Sequence, residues 1–301
     1  MTLRLGTRAS KLALAQSGLV AAEVTRRTGQ DVDLVEIVTS GDKSQAPVAN
    51  LGVGVFVSAL RDALLAKEID FAVHSYKDLP TAPADGLQIA AIPVREDPRD
   101  ALIARDGRTL NQLGPGARIG TGAVRRIAQL QALGLGFEMV PIRGNVDTRL
   151  RKVTEGDLDA IVVARAGLVR LGRHAEVSEI LDPSLMLPAP AQGALAVECR
   201  DEDADLIDAL ALLDDQATRA AVTAERTLLA TLEAGCSAPV AGLAEVNEQM
   251  IHLRGAVFSP DGRVALRLSR SGTHTDAADI GRLLADDLLR AGADTVLGSS
   301  T

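Results

Sequence analysis

The sequence predicts an α/β protein with two sheet-based modules and a smaller α+β domain at its C-terminal end. Three observations carry that expectation. A chain of 301 residues exceeds what one hydrophobic core usually serves. Up to about residue 200, short β-branched runs alternate with amphipathic stretches, the pattern of a largely parallel sheet covered by helices. A strand, Gly-Thr turn and helix start also occur twice, as RLGTRASKLA at 4 to 13 and RIGTGAVRRIA at 118 to 128. A second pair follows them, KEIDFAVHS at 67 to 75 and GDLDAIVVA at 156 to 164. Two such related modules facing each other would form a cleft, with ligand groups supplied by loops at the strand ends.

In chain order the expected strands are 3 to 6, 33 to 39, 71 to 75, 118 to 121, 137 to 142, 160 to 164 and 194 to 199. Helical spacing of apolar residues marks 10 to 28, 55 to 67, 123 to 133 and 145 to 154. REDPRDA at 95 to 101, charged and broken by Pro98, reads as a crossing between modules. PSLMLPAPAQGA at 183 to 194 is a second Pro-rich passage, and the strand ALAVEC after it is placed to return to the first module. Beyond residue 200 the character changes. Asp214 and Asp215 precede the helical QATRAAVTAERTLLATLEA, which stops at Gly235. IHLRGAVF and VALRLSR then flank a Ser-Pro-Asp-Gly-Arg hairpin signal, and a helix over 276 to 291 follows. The expected domains are 1–95 with 194–212, then 99–188, then 215–301.

Hydrophobic residues make up 47% of the chain but aromatics only 2%, so its cores must be built from Leu, Val, Ile and Ala. The net charge of -8 gives a long-range field of the wrong sign for nucleic acid or an anionic membrane, so any anion site must be local. MTLRLGTRAS lacks the apolar core of a signal peptide, and no apolar run approaches a bilayer span, so a cytoplasmic protein is expected. Cys199 and Cys236 are too isolated for a disulfide framework or thiolate metal site, and His74, His174, His252 and His274 lack ligand spacing. No metal is expected.

Two motifs carry chemistry. HSYKDLP at 74 to 80 places Asp78 in a turn at a strand end, beside Lys77. LEAGCSAP at 232 to 239 places Cys236 in a loop, where a thiol can reach a ligand. An isolated cysteine is more often a small buried apolar residue, and that is the reading for Cys199 within its strand. His74 precedes the aspartate by four residues and could be taken for a general base, but its place near the strand end favours a structural role.

Together, and with GTRASKLALAQ (6 to 16), VTSGDKS (38 to 44), GVFVSALRDALL (54 to 65), IPVREDPRDAL (92 to 102), PIRGNVDTRL (141 to 150), ARAGLVRLG (164 to 172) and LPAPAQGALAVE (187 to 198), these motifs resemble the porphobilinogen deaminase (hydroxymethylbilane synthase) family over nearly the whole chain. The resemblance implies two periplasmic-binding-protein-like (type II) α/β domains plus the small third domain. It implies a transferase of haem biosynthesis that joins four porphobilinogen molecules head to tail with loss of ammonia, then releases hydroxymethylbilane by hydrolysis. The chain would grow from a dipyrromethane cofactor attached through a thioether to Cys236.

Loss of ammonia from an aminomethylpyrrole creates a cationic azafulvene, which a fixed carboxylate can stabilise, and Asp78 is the candidate. Each pyrrole carries acetate and propionate groups, and arginine suits bidentate carboxylate binding. The resemblance assigns that binding to Arg8, Ser10, Lys77, Arg125, Arg126, Arg143, Arg149 and Arg170, with Thr121 as the remaining hydroxyl of its turn and Phe56 as a ring contact. Many relatives have a serine-rich turn where this chain has Gly122 and Ala123, and lysines where it has Ala49 and Val53. The small residues of SQAPVANLGVGVF at 44 to 56 suggest a mobile lid. Family precedent is a monomer. The competing reading is a non-enzymatic solute-binding protein for a small polycarboxylate, which would call for export and need no cysteine in the third domain.

Overall fold

The computed structural model describes residues 2–37, 57–235 and 238–298. The chain divides into two compact units, Met1–Glu96 with Ala194–Arg219, and Asp97–Gly193 with Ala220–Thr301. The fold class is α/β with a small α+β domain at the C-terminal end.

The first unit opens with β1 (Leu3–Thr7), α1 (Lys11–Thr28), β2 (Val32–Glu36), α2 (Ser58–Leu65), β3 (Phe71–Ser75) and β4 (Leu87–Ala91). It resumes with β10 (Leu195–Arg200) and α6 (Ala204–Ala211). The sheet order is β2-β1-β3-β10-β4. β1 runs parallel to β2 and β3, whereas β10 is antiparallel to β3 and β4. The sheet is therefore mixed rather than largely parallel. β10 is buried at every position, which explains why ALAVEC lacks polar alternation. Helix α1 starts where the Ser10 hydroxyl accepts the Ala13 N–H at 3.3 Å and ends at Gly29, whose φ of 72° suits a residue without Cβ.

The second unit contains β5 (Asp100–Ala104), β6 (Arg118–Thr121), α3 (Val124–Ala132), β7 (Glu138–Pro141), α4 (Val146–Thr154), β8 (Ala160–Ala164), α5 (Arg165–Arg170) and β9 (Glu179–Ile180). Its sheet order is β7-β6-β8-β5-β9. β6 is parallel to β7 and β8, and β5 is antiparallel to β8 and β9. The repeated motif thus reflects two sheets with the same order and directions. The likeness reaches individual atoms. Asp70 accepts the Arg4 N–H at 2.7 Å, and Asp159 accepts the Arg118 N–H at 2.9 Å.

The glycine of each Gly-Thr pair is crowded in the same way. A Cβ on Gly6 would lie 2.2 Å from Ile69 Cδ1, and one on Gly120 would lie 2.5 Å from Leu158 Cδ1. Ile69 and Leu158 are themselves buried, so they have little room to give. Gly6→Ala is expected to destabilise the fold by about 1–3 kcal/mol through overpacking, read from urea unfolding. A change below about 0.5 kcal/mol, the ordinary scatter of surface substitutions, would show that Ile69 rotates away freely.

The α+β domain consists of α7 (Gln216–Thr231), β11 (Val240–Asn247), β12 (Met250–Phe258), β13 (Ala265–Thr273), α8 (Ala277–Arg290) and α9 (Ala293–Leu297). Its antiparallel sheet, in the order β11-β12-β13, shares one aliphatic core with α7 and α8 through Leu228, Leu253, Leu284 and Leu288.

Several elements differ from the sequence expectation. β5 begins at Asp100, so the last residues of REDPRDA are strand. DALIA has only one β-branched residue, and its strand state comes from pairing with β8 and complete burial rather than from propensity. β11, which begins at Val240, makes the expected two-stranded hairpin a three-stranded sheet. The 33 to 39 strand ends at Glu36, and residues 38 and 39 fall outside the described residues.

Candidate active site

In the first unit, the end of β3 leads into a single 3-10 turn, Tyr76–Asp78. The Tyr76 N–H donates to Ala194 O at 3.1 Å and the Leu79 N–H to Tyr76 O at 3.2 Å. Leu79 is buried with Val57 and Ala196. Gln16 of α1, itself buried, exchanges hydrogen bonds with Ser75 at 2.9 and 3.3 Å. The turn is thus pinned on both sides while Asp78 between them is exposed. Arg8 and Lys77 are partly buried, and the Ser10 hydroxyl caps α1.

His74 lies on β3. It is buried, with Nε2 3.1 Å from Glu198 Oε2 but without the alignment of a hydrogen bond. Arg61 of α2 donates to the same carboxylate from Nε and Nη2, at 3.1 and 2.8 Å to Oε1. Burial works against the Glu198 anion, yet His74 and Arg61 together hold its carboxyl below the ordinary value.

The second unit gathers cations. Arg125 and Arg126, in the first turn of α3, are each only 5% exposed, and Asp100 between them is fully buried. Arg125 Nη1 donates to Asp100 Oδ2 at 2.7 Å and Leu187 O at 3.1 Å; its Nη2 donates to Asp100 Oδ1 at 3.3 Å and Gln192 Oε1 at 3.0 Å. Arg126 Nη2 donates to Asp100 Oδ1 at 2.7 Å. Burial opposes the Asp100 anion, but two adjacent guanidiniums hold its carboxyl far below the usual range. One carboxylate therefore faces two guanidinium groups.

Arg126 Nε is buried without a hydrogen-bond partner. A buried unsatisfied N–H is costly, and a ligand oxygen would relieve it. Arg149 lies in the same electrostatic neighbourhood: burial first, then repulsion from Arg126 and Arg143, lowers its pKa. Its Nε donates to Gly144 O at 2.9 Å, within the turn whose Asn145 caps α4. Arg170 Nη2 reaches Gly193 O at 2.6 Å. An excess of partly desolvated guanidiniums suits a ligand carrying several carboxylates.

Of the expected site residues, Arg8, Ser10, Lys77 and Asp78 belong to the first unit, and Thr121, Arg125, Arg126, Arg143, Arg149 and Arg170 to the second. Thr121 is fully buried, and its hydroxyl accepts the Ala123 N–H at 3.4 Å, so it serves its own turn rather than offering an exposed donor. Phe56, Cys236 and the whole of the expected lid at 44 to 56 lie outside the described residues. Cys199 is fully buried, and burial, with Asp203 adding to it, pushes its thiol up to about 11, which makes it a poor nucleophile. Among the described residues, no group of three or more His, Cys, Asp or Glu could hold a metal ion, and no helix is long and apolar enough to cross a membrane. Asp100 and Gln192 were not foreseen. Both sit in motifs of the resemblance, but a buried counterion is indistinguishable by pattern from a solvated aspartate.

Residues 3–208 match the family described as porphobilinogen deaminase, dipyromethane cofactor binding domain, and residues 219–290 match porphobilinogen deaminase, C-terminal domain. The chain belongs to the porphobilinogen deaminase family. The curated porphobilinogen deaminase of Nocardia farcinica is 59% identical over 98% of this chain and 88% of its own length. Porphobilinogen deaminase 1 of Streptomyces coelicolor is 57% identical over 98% of this chain and 97% of its own. The protein of Mycobacterium tuberculosis is 56% identical over 97% of each chain. Among solved structures, the methionine-binding protein MetQ aligns over 70% of this chain and 89% of its own at 12% identity and a TM-score of 0.44, too low to carry an argument. Asp78 and all the basic residues above fall within the porphobilinogen deaminase cofactor-binding match, and Cys236 within the C-terminal match.

Proposed function

We propose that this chain is a hydroxymethylbilane synthase, which condenses four porphobilinogen molecules with loss of ammonia on a dipyrromethane cofactor held by Cys236 and hydrolyses the product free. Family membership makes it an enzyme of tetrapyrrole biosynthesis with a dipyrromethane cofactor-binding domain. The observation that carries the site is the surplus of buried guanidinium in an acidic protein, with the Arg126 Nε–H unsatisfied beside Arg149. That surplus fits a polycarboxylate cofactor and substrate.

When bound, the dipyrromethane would supply a nucleophilic pyrrole carbon as the growing end. Arg126, Arg143 and Arg149 would hold carboxylates, with Arg125 fixing Arg126 through their shared Asp100. Arg8, Lys77 and Arg170 would bind further acetate and propionate groups, and Ser10 would add its hydroxyl. Asp78, exposed on a pinned turn, would stabilise the positive charge that develops as ammonia leaves the substrate and would move protons there. Phe56 would contact a pyrrole ring, and Cys236 would act once, as a tether. We further propose a monomer in the cytoplasm with no nucleic-acid partner.

The test is intact mass. Purified protein is expected to exceed its sequence mass by two substrate-derived pyrrole units, and Cys236→Ser to show no excess. An unmodified protein that still turns over porphobilinogen would overturn the cofactor assignment. A solute-binding protein would bind porphobilinogen unchanged and release no ammonia.

A further inference from the structure

We infer that Glu225 is a positioning residue which, through Ala191 and Gln192, fixes the guanidiniums of Arg125 and Arg126. The inference rests on the reading above that Arg126 serves ligand carboxylates and that Arg125 fixes it through their shared Asp100. Glu225 lies on α7 and is fully buried. Its Oε2 accepts the Ala191 N–H at 2.6 Å and its Oε1 the Ala244 N–H of β11 at 2.7 Å. A carboxyl group with no solvent exposure is retained at a cost that such bonds must offset, so its place is specific.

Ala191 is the unusual residue in that chain of contacts. It has a φ of 60° and no exposure, a left-handed conformation that a Cβ disfavours and that persists only when its surroundings impose it. The Glu225 bond to its N–H is such an imposition. The next residue, Gln192, is also fully buried. Its Nε2 donates to Pro98 O at 2.7 Å and to Asp100 Oδ1 at 2.8 Å, while its Oε1 accepts from Arg125 Nη2 at 3.0 Å. Gly193 then accepts from Arg170. Three consecutive residues therefore connect, in turn, to Glu225, to the Asp100 cluster and to Arg170.

The same segment also meets β11 directly, where the Gly242 N–H donates to Pro188 O at 2.9 Å. Helix α7 and strand β11 are the elements that flank Cys236 in the sequence, and the one Glu225 carboxylate engages the first by its backbone attachment and the second by hydrogen bond. Helix α7, strand β11 and the segment that orients the arginines are thus joined by one shared side chain. A change in backbone angle at Ala191 would swing the Gln192 amide and withdraw the acceptor that orients Arg125.

Hydrogen exchange on the wild-type protein tests the first link without activity: the amides of Ala191 and Ala244 are expected to be protected, and unprotected exchange at Ala191 would overturn the tether. Glu225→Met, which removes both acceptors at similar length, is expected to raise KM for porphobilinogen at least 5-fold with kcat changed less than 2-fold. Gln192→Met, which cuts the same path one residue later, is expected to do the same and stands in should Glu225→Met fail to fold. Adding Ala191→Gly to Glu225→Met should bring KM back towards the wild-type value, since glycine adopts that φ without a tether. A role confined to stability would lower Tm and leave KM unchanged, and that result, or an Ala191→Gly that restores Tm without KM, would sink the proposal. If wild-type protein consumed no porphobilinogen, the functional reading would fall while the exchange experiment would still decide the tether.

Discussion

Asp78→Asn is expected to keep its two-pyrrole adduct while losing turnover by about 10²–10⁴-fold, the usual range for removing a positioned acid-base group. The argument is geometric before it is electrostatic. Asp78 ends a turn held by the Tyr76 and Leu79 backbone bonds and by the buried Leu79 side chain, so its carboxyl has a defined place while remaining exposed. Asparagine keeps that shape and loses both the charge and the ability to accept a proton. Substrate binding through the arginines should survive, so the loss should fall on kcat rather than KM. Asp78→Glu, which moves the carboxylate by one methylene, should retain intermediate activity. Steady-state consumption of porphobilinogen together with intact mass decides the matter, and turnover within 3-fold of wild type in Asp78→Asn would place the chemistry elsewhere.

Asp100→Asn is expected to cost about 3–5 kcal/mol of stability at neutral pH, because it leaves two buried guanidiniums without their counterion. The pH dependence separates this from simple loss of hydrogen bonds. The folded carboxyl titrates below its unfolded value, so the stabilisation is fully present above about pH 4, the ordinary aspartate value, and is lost as pH falls through the lower folded value. The gap between wild type and Asp100→Asn, measured by denaturant unfolding across pH, should therefore be constant at neutral pH and shrink below about pH 4. A gap that does not depend on pH would mean that the charge of Asp100 contributes nothing.

Much of the fold was legible because its signals are local. The Ser10 cap and Gly29 stop bound α1 within a residue of expectation, and the doubled Gly-Thr motif pointed to two sheets of one design. What escaped was decided by partners distant in sequence. DALIA at β5 carries no strand signal of its own, and only its place between β8 and β9 makes it one. The site divides the same way. Asp78 and the arginines stood out through their motifs, whereas Asp100, Gln192 and Glu225 matter because of what they touch across 25, 67 and 34 positions of chain. No spacing rule exposes such contacts.

The position of β10 bears on how the protein emerges from the ribosome. All five strands of the second sheet, β5 to β9, are made in one uninterrupted stretch, but the first sheet lacks the strand that joins β3 to β4 until residue 200 has been synthesised. The N-terminal half must therefore wait, its inner edges unpaired, while the later-made sheet becomes complete ahead of it. At about 5–20 residues per second that delay lasts several seconds, long enough for a nascent chain to require protection from aggregation.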